Sequence, residues 1–537
     1  MIPSVPQILR DHTSLSIACI DRLYVNGYVP GFQYTGGLHA FLSDHLGFPI
    51  ASPALLKKLH DHFIKDIDSF AQTNAIPLIE FERGVRKDDV AAARRAQFTQ
   101  PEGVVFIGKA QEKASSFKAK KSVLPNGFPD FQFSRQSVFV NHYYFYLQDP
   151  QWGPAFVKLG SYLPYPVKLC LNGHEWAKCQ LRQRGIPFES LDNGFLSCAQ
   201  PELLQQICDQ LQPQDIQDFF DRWSHILPWP LTPLDREAGF DHRLSLWQVE
   251  FSLTHIFNRP VMGRHFFEQV IRDNLDLGRP DRVSLLFPNR ITKRTPPPEH
   301  GYRTRVITQG VNPSLHVEFK HSHVKQYFKE ELGLRTETTI NDTKDFRINK
   351  GLENLPRLRE IGQEVNRNLL EAERLSQQCV PDIEELETLG QPSIHGKKRA
   401  PALRFGVTRV MALLHALCMF LLIPQGFDHK TLHVQVAGLL GLSLEQYTAS
   451  MMTYDLRRLR LKGLILRRPG THRYLVTPLG LRVGTFYTRL NLRLLRPGWA
   501  ALLPARDPLP RKLRTAFTAV ETEIDTLMEE AGLRAAA

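Results

Sequence analysis

Apolar and polar residues alternate through Leu315–His321 (LHVEFKH) and again through Leu334–Asn341 (LRTETTIN), the period-two pattern of strands. In the second stretch Arg335, Glu337 and Thr339 share one face. The segment between them, HSHVKQYFKEE, reads as a short helix or a continued strand. Further strands are expected at Ser14–Tyr24, ending at Asp21, and at Pro77–Phe81 and Gly103–Gly108. Val138–Leu147 and Ala155–Leu163 flank the turn-rich QDPQWGP and read as an antiparallel hairpin. Three- and four-residue apolar spacing predicts helices over Ser52–Thr73, with Ser52 as N-cap and Pro53 in the first turn, over Pro166–Arg184, and, as one or two helices, over 352–379, while 213–236 reads as a helix followed by a Pro/Trp-rich connection. His242–Phe257 fits a strand or a helix, Gly263–Leu275 a helix, and RPDRVSLLF a strand. Pro381–Arg399, with Gly390, Pro392 and the basic HGKKR, reads as a linker.

A chain of 537 residues is too long for one core. The pattern predicts a mixed α/β (α+β) N-terminal region of one to three domains followed by a smaller C-terminal domain. The expected spans are 1–130, 131–380, a 381–402 linker, 403–500 and a 501–537 tail with an acidic helix at Thr518–Leu533. Hydrophobic and charged contents of 42% and 23% suit a soluble globular protein. The N-terminus has neither the basic start nor the apolar run of a signal peptide. Val410–Ile423, interrupted by His415, is too short to cross a bilayer, so no membrane association is expected. Seven cysteines without a CxxC pair fit the reducing cytoplasm. The spacing of Cys170, His174 and Cys179 matches no compact zinc finger.

Charge changes the picture. Residues 397–515 hold 21 Lys and Arg against four Asp and Glu, whereas residues 1–396 are near neutral with 45 against 46. A basic excess confined to one module is the footprint of a nucleic-acid binder. A second basic stretch, GKAQEKASSFKAKK, follows Gly103–Gly108. It reads as a loop whose Lys109, Lys113 and Lys118, with Phe117 among them, suit phosphate contacts and base stacking. No Walker A loop is present.

Candidate chemistry gathers at residues 280–345. Glu318, Lys320, His321, His323, Tyr327 and Glu337 offer ligands, bases and a nucleophile, and Asp281, Glu318, His321 and His323 offer a metal-binding set for Mg²⁺ or Mn²⁺. Arg335 adds a phosphate-binding group. Pro280–Asp281 with Glu318-Phe319-Lys320 resembles the PD…(D/E)xK pattern of metal-dependent nucleases. The His321-Ser322-His323 pair with Tyr327 and Lys329 resembles the rolling-circle replication initiators, and VKQYFKEELGLRTETTIN resembles segments of phage and plasmid replication proteins. Asp21 is placed like the strand aspartate of RNase H-like nucleases, which use two or three carboxylates to hold Mg²⁺.

The C-terminal module resembles a winged helix-turn-helix domain of MarR type. The resemblance rests on Leu456, Leu459, Gly463, Leu464 and Ile465 in TYDLRRLRLKGLILRRPGTHRYLVTPLG. It implies helices at Arg404–Ile423, Asp428–Leu440 and Ser443–Gly463, then a wing from Leu464–Arg468 to His472–Thr477. It also implies DNA contacts from Arg457, Arg458, Arg460, Lys462, Arg467, Arg468 and Arg473. Across the chain, LNGHEWAK, RTETTIND and TYDLRRLRLKGLI resemble a group of bacterial proteins, a likeness that implies no activity. The expectation is a DNA-binding protein of replication or mobile-element type with metal-dependent nicking or cleavage. A large winged-helix transcriptional regulator, sensing a ligand or partner through its N-terminal region, is the alternative. An RNA-binding protein using both basic regions is a further one, and the acidic tail helix offers a surface for a homodimer.

Overall fold

The computed structural model describes residues 5–273 (except 49, 83 and 124–128), 286–287, 295–299, 304–309, 312–377, 383–395, 398–419 and 427–491, with isolated positions between 515 and 526. The chain divides into two compact units, Met1–Leu370 and Glu371–Ala537.

The first unit is built on one eleven-stranded sheet. In chain order its strands are β1 (Thr13–Tyr28), β2 (Leu78–Glu80), β3 (Gly103–Val123), β4 (Pro129–Asp149), β5 (Gly153–Gly160) and β6 (Val167–Asn172). After a separate two-stranded hairpin, β7 (Phe188–Leu191) and β8 (Gly194–Cys198), the sheet resumes with β9 (Arg243–Phe257), β10 (Thr304–Gln309), β11 (Asn312–Phe319), β12 (Ser322–Lys329) and β13 (Gly333–Ile340). Their spatial order is β10-β11-β12-β13-β9-β1-β6-β5-β4-β3-β2. Two hairpin-connected meanders thus flank a central β1–β9 pair, and every neighbouring pair is antiparallel except β2–β3.

Alternation decides the faces. Along β11 and β12, Leu315, Val317, Phe319, Val324 and Phe328 are buried, while His316, Glu318, His323, Lys325 and Tyr327 lie opposite, half-buried. On the apolar side the Leu355–Gln377 helix packs closely because Gly362 has no side chain. A Cβ there would come within 2.2 Å of the Phe251 ring. Burying a ring such as Phe251 contributes roughly 1.5–3 kcal/mol. Asn366 fixes the helix register by donating to Phe251 O at 2.8 Å and accepting from Thr338 Oγ1 at 2.7 Å.

The sheet splits beside β1. From Arg22 onward β1 pairs with β6, but β6 ends at Asn172. The open edge at Ala18 is closed by the Gln205 side chain, which accepts from its N–H and donates to its carbonyl, each at 2.9 Å. Asn172 turns the chain into the Gly173–Gln183 helix by capping it, accepting from His174 N at 2.8 Å and Glu175 N at 3.1 Å. Gly173 is required at this crossing, since a Cβ would lie 2.3 Å from Ile20 O.

Several expectations are corrected. The lysine-rich stretch after Gly108 is a strand, because β3 runs on to Val123 paired with β4. The start of Pro166–Arg184 is strand β6, and the helix begins only at Gly173. HSHVKQYFKEE, expected as a helix or a strand, takes the second form as β12. The boundary expected at residue 130 lies inside the β3–β4 hairpin, within one compact unit. Asp21 does not end its strand, which continues to Tyr28. RPDRVSLLF and Asp281 lie outside the described residues, apart from Leu286 and Phe287.

In the second unit the 381–402 span is not a linker. It contains the Ile383–Gly390 helix and a hairpin of β14 (Ser393–His395) and β15 (Lys398–Ala400), with Leu389 and Leu403 buried in the unit's core. Then follow the Thr408–Met419 helix, β16 (Phe427–Asp428), the His429–Leu440 and Ala449–Leu461 helices, β17 (Ile465–Arg467), β18 (Arg473–Val476) and the Pro478–Leu490 helix. The small sheet has the order β16-β18-β17. Leu413, Leu417, Leu432, Val436, Met452, Leu456, Leu459 and Ile465 fill the core. Asp428, Thr448 and Thr477 cap the three later helices through their side chains. Gly463, at φ +73°, stops the 449–461 helix. The acidic Thr518–Leu533 segment lies, apart from isolated positions, outside the described residues. Among the described residues no helix is long and apolar enough to cross a membrane.

Candidate functional site

A bulge in β1 creates the site. Ile20 pairs with Phe251 and Leu23 with Val249, so Asp21 and Arg22 together face the single residue Glu250 of β9. On the next strand Glu337 opposes Ser252. Donor oxygens of Asp21, Glu250 and Glu337 consequently lie within 4.8 Å of one another, a spacing able to hold a metal ion. Asp21 and Glu337 are buried and Glu250 is half-buried.

Basic and polar groups order these carboxylates. Arg335, fully buried, donates to Asp21 Oδ2 at 3.2 Å, Thr254 Oγ1 at 3.1 Å and Asn193 O at 2.6 Å. Asn193, in the β7–β8 turn, donates to Asp21 Oδ1 at 2.6 Å and is itself held by Asn172. His174, in the first turn of the capped helix, meets both Arg335 Nη2 (3.2 Å) and Ser252 Oγ (3.1 Å) through Nε2. With Nε2 accepting from the guanidinium, the ring proton sits on Nδ1, which is 3.7 Å from Asp21 Oδ1 and makes no hydrogen bond. Lys325 approaches Glu337 Oε1 at 2.7 Å as an ion pair without a well-directed hydrogen bond, and Tyr327 OH donates to Oε2 at 3.2 Å.

The electrostatics separate the three acids. Burial opposes ionisation of Asp21, but His174, the Arg335 guanidinium and the Asn193 amide outweigh it and hold the carboxyl well below its usual range. Burial and the Arg335 charge depress His174 below its usual value. Glu250 moves the other way. Burial, then the charges of Glu337 and Asp21, push it up to about 7 against the pull of Lys325 and Arg22. Carboxylates crowded so that one holds its proton near neutrality mark sites that gain when a cation enters.

The residues singled out at 316–327 are only partly brought together. Glu318 and His323 face one another across the β11–β12 ladder, and the His316 and His323 rings stack at 6.4 Å, on the same face as Lys325 and Tyr327. Of the expected metal set Asp281, Glu318, His321 and His323, Asp281 lies outside the described residues. Among the described residues the one close donor group is Asp21, Glu250 and Glu337. His321 sits in the β11–β12 turn, where Asp345 anchors it: Oδ1 meets Nδ1 at 3.1 Å, and Oδ2 accepts from His321 N at 3.1 Å and Ser322 Oγ at 2.7 Å. Lys320, at φ +52°, donates to Asp345 O at 2.8 Å. Tyr327 is a poor nucleophile, because burial and Glu337 raise its phenol above the usual range. Arg335 is committed to Asp21 and is no surface phosphate contact.

The basic residues also sort by environment. Lys109 pairs with Glu80 of the edge strand β2 at 3.6 Å, whereas Lys113 and Lys118 are exposed. On the 449–461 helix Arg457 and Arg460 are exposed, with Thr453 on the same face. Arg458 turns back to Pro401 O and Ala402 O, and Lys462 is buried, donating to Thr388 O at 2.8 Å and Gln391 O at 2.5 Å. These two tie the helix to the 388–402 segment and are not available to a ligand. Arg467, Arg468 and Arg473 are exposed on the β17–β18 hairpin.

Glu250 lies in His242–Phe257, for which the sequence pattern predicts a strand or a helix and no site residue, and His174 could be catalytic by residue type but nothing in its spacing demands it. No protein-family model, curated protein or solved structure matches the chain.

Proposed function

We propose that the protein binds DNA through its C-terminal unit and cleaves or nicks a strand at the Asp21–Glu250–Glu337 cluster with Mg²⁺ or Mn²⁺. The observation that carries this reading is the convergence of three carboxylates from three neighbouring strands within 4.8 Å. The donor set fits the group, since all-oxygen ligation suits these hard cations better than zinc. When bound, such an ion polarises a phosphoryl oxygen and lowers the pKa of water. The chain supplies the rest. Arg335 and Asn193 hold Asp21 ionised and oriented. Lys325, half-buried and paired with Glu337 at 2.7 Å, supplies a cation beside the carboxylates. Glu250, pushed up to about 7 by burial and the neighbouring carboxylates, would give up its proton when a cation enters.

The reading of the C-terminal unit as a winged helix is supported by its order of helix, short strand, two helices and hairpin. Arg457 and Arg460 would face the major groove, with Arg467, Arg468 and Arg473 on the wing beside it. Supercoiled plasmid incubated with Mg²⁺ or Mn²⁺ against EDTA tests the whole proposal. Nicking that needs metal and is lost in Glu337→Gln but kept in Tyr327→Phe is expected. Tight, salt-sensitive binding without any cut sinks the nuclease and leaves a regulator.

A further inference from the structure

The β3–β4 hairpin is longer than the sheet that supports it. β2 pairs with β3 only at 107–109 and β5 pairs with β4 only at 142–149, so residues 111–123 and 129–141 form a two-stranded ribbon. At about 3.3 Å per residue it reaches on the order of 40 Å. One face is seated on the first unit around Phe117 and Phe133, while Lys113, Ser115, Ser137 and Phe139 on it are exposed. Phe117 and Phe133 are buried there, Phe133 meets His39 edge-on at 5.5 Å, and Arg135 donates to Phe32 O and to the Gln33 side chain.

The other face is polar, and beyond Ser116, which is buried and donates to Leu163 O at 2.6 Å, it is open. Lys118 pairs with Ser134 and Lys120 with Gln132, and all four are exposed. Strand alternation keeps Phe117, Phe131, Phe133 and the exposed Phe139 off this face. Nor is the charge cancelled locally. Glu112, the acid of the 111–123 limb, is engaged by Lys87, Lys158 and Tyr144 at the ribbon's base, and Asp130 accepts from Ser122.

We infer that this ribbon is a second DNA-binding element, gripping the phosphate backbone of a duplex through Lys118 and Lys120 independently of the C-terminal unit. The inference rests on the DNA reading above. A cationic face with amide and hydroxyl donors and no aromatic platform suits backbone contacts. Single-strand binding would call for exposed rings on which bases stack. A two-stranded ribbon is also of a width that duplex grooves admit. The grip is expected to be insensitive to sequence.

The test is fluorescence anisotropy of the full chain on a labelled duplex and on an oligo-dT strand between 50 and 200 mM salt. Wild type is compared with Lys118→Ala/Lys120→Ala, Lys118→Arg/Lys120→Arg and Arg457→Ala/Arg460→Ala. Each phosphate contact contributes about 0.9 to the slope of log K against log salt, so the double alanine variant should lower the duplex slope by about 1.8. The double arginine variant should keep it. An unchanged duplex slope in the lysine variant, with a lowered one in Arg457→Ala/Arg460→Ala, overturns the ribbon and leaves the DNA reading standing. A slope change confined to oligo-dT overturns it as well. No binding of duplex by wild type fails both.

Discussion

Replacing Glu250 by glutamine should stabilise the protein, and only above the pH at which an ordinary glutamate ionises. In the folded chain burial and the neighbouring Glu337 and Asp21 charges push Glu250 up to about 7, from an ordinary value of 4.5. Its folded value lies above its unfolded one, so the folded state holds the proton more tightly. The associated stability is fully present below pH 4.5 and is lost as pH rises through 7. Each pH step across that window is worth about 1.4 kcal/mol, which sums to about 3 kcal/mol. Glutamine keeps the size and the polar atoms and never ionises. Denaturant titrations in EDTA, followed by the buried Trp152 and Trp223, should therefore find Glu250→Gln more stable than wild type by about 3 kcal/mol at pH 8 and nearly equal to it at pH 4.5. A variant equal to wild type at pH 8, or one that gains as much at pH 4.5, would refute the claim that crowded negative charge governs this carboxyl.

Other outcomes follow from the same contacts. Arg335→Met strips Asp21 of its buried counter-charge and should cost about 3–5 kcal/mol in the same titrations, a loss well beyond that of an exposed arginine such as Arg457. Arg457→Ala/Arg460→Ala should weaken duplex binding without lowering the melting temperature. Arg458→Ala should instead destabilise the C-terminal unit, because it leaves the Pro401 and Ala402 carbonyls without their donor. Mn²⁺ at about 100 times its dissociation constant should stabilise wild type by about 2.7 kcal/mol at pH 8 and leave Glu337→Gln unmoved in calorimetric scans.

Much of the fold was legible because it is written locally. Ser52, Asp428 and Gly463 mark helix ends by the hydrogen bonds and backbone angles their side chains permit, and each does so in the structure. Alternation correctly placed Arg335, Glu337 and Thr339 on one face. What covers that face was not legible. Asn193 reaches Arg335 from a hairpin about 140 residues earlier, and the β1 and β9 neighbours come from more than 80 residues away, so an arginine expected to meet phosphate is buried. Glu250 stayed hidden for the same reason. An alternating strand offers a polar residue at every second position, and only pairing across β1, β9 and β13 selects one of them. Lys462 and Arg458 show the limit on a helix, where spacing reports the leucine stripe but not that the 388–402 segment would claim two flanking cations.

The central claim is that Asp21, Glu250 and Glu337 hold one divalent ion. Electron paramagnetic resonance of Mn²⁺ titrated into the full chain at pH 8 tests it most directly, with Asp21→Asn and Glu337→Gln beside wild type. One bound ion per chain, lost in both variants and displaced by Mg²⁺, is the result the account requires. Free Mn²⁺ signal at every ratio in wild type, or binding that survives both substitutions, would contradict it.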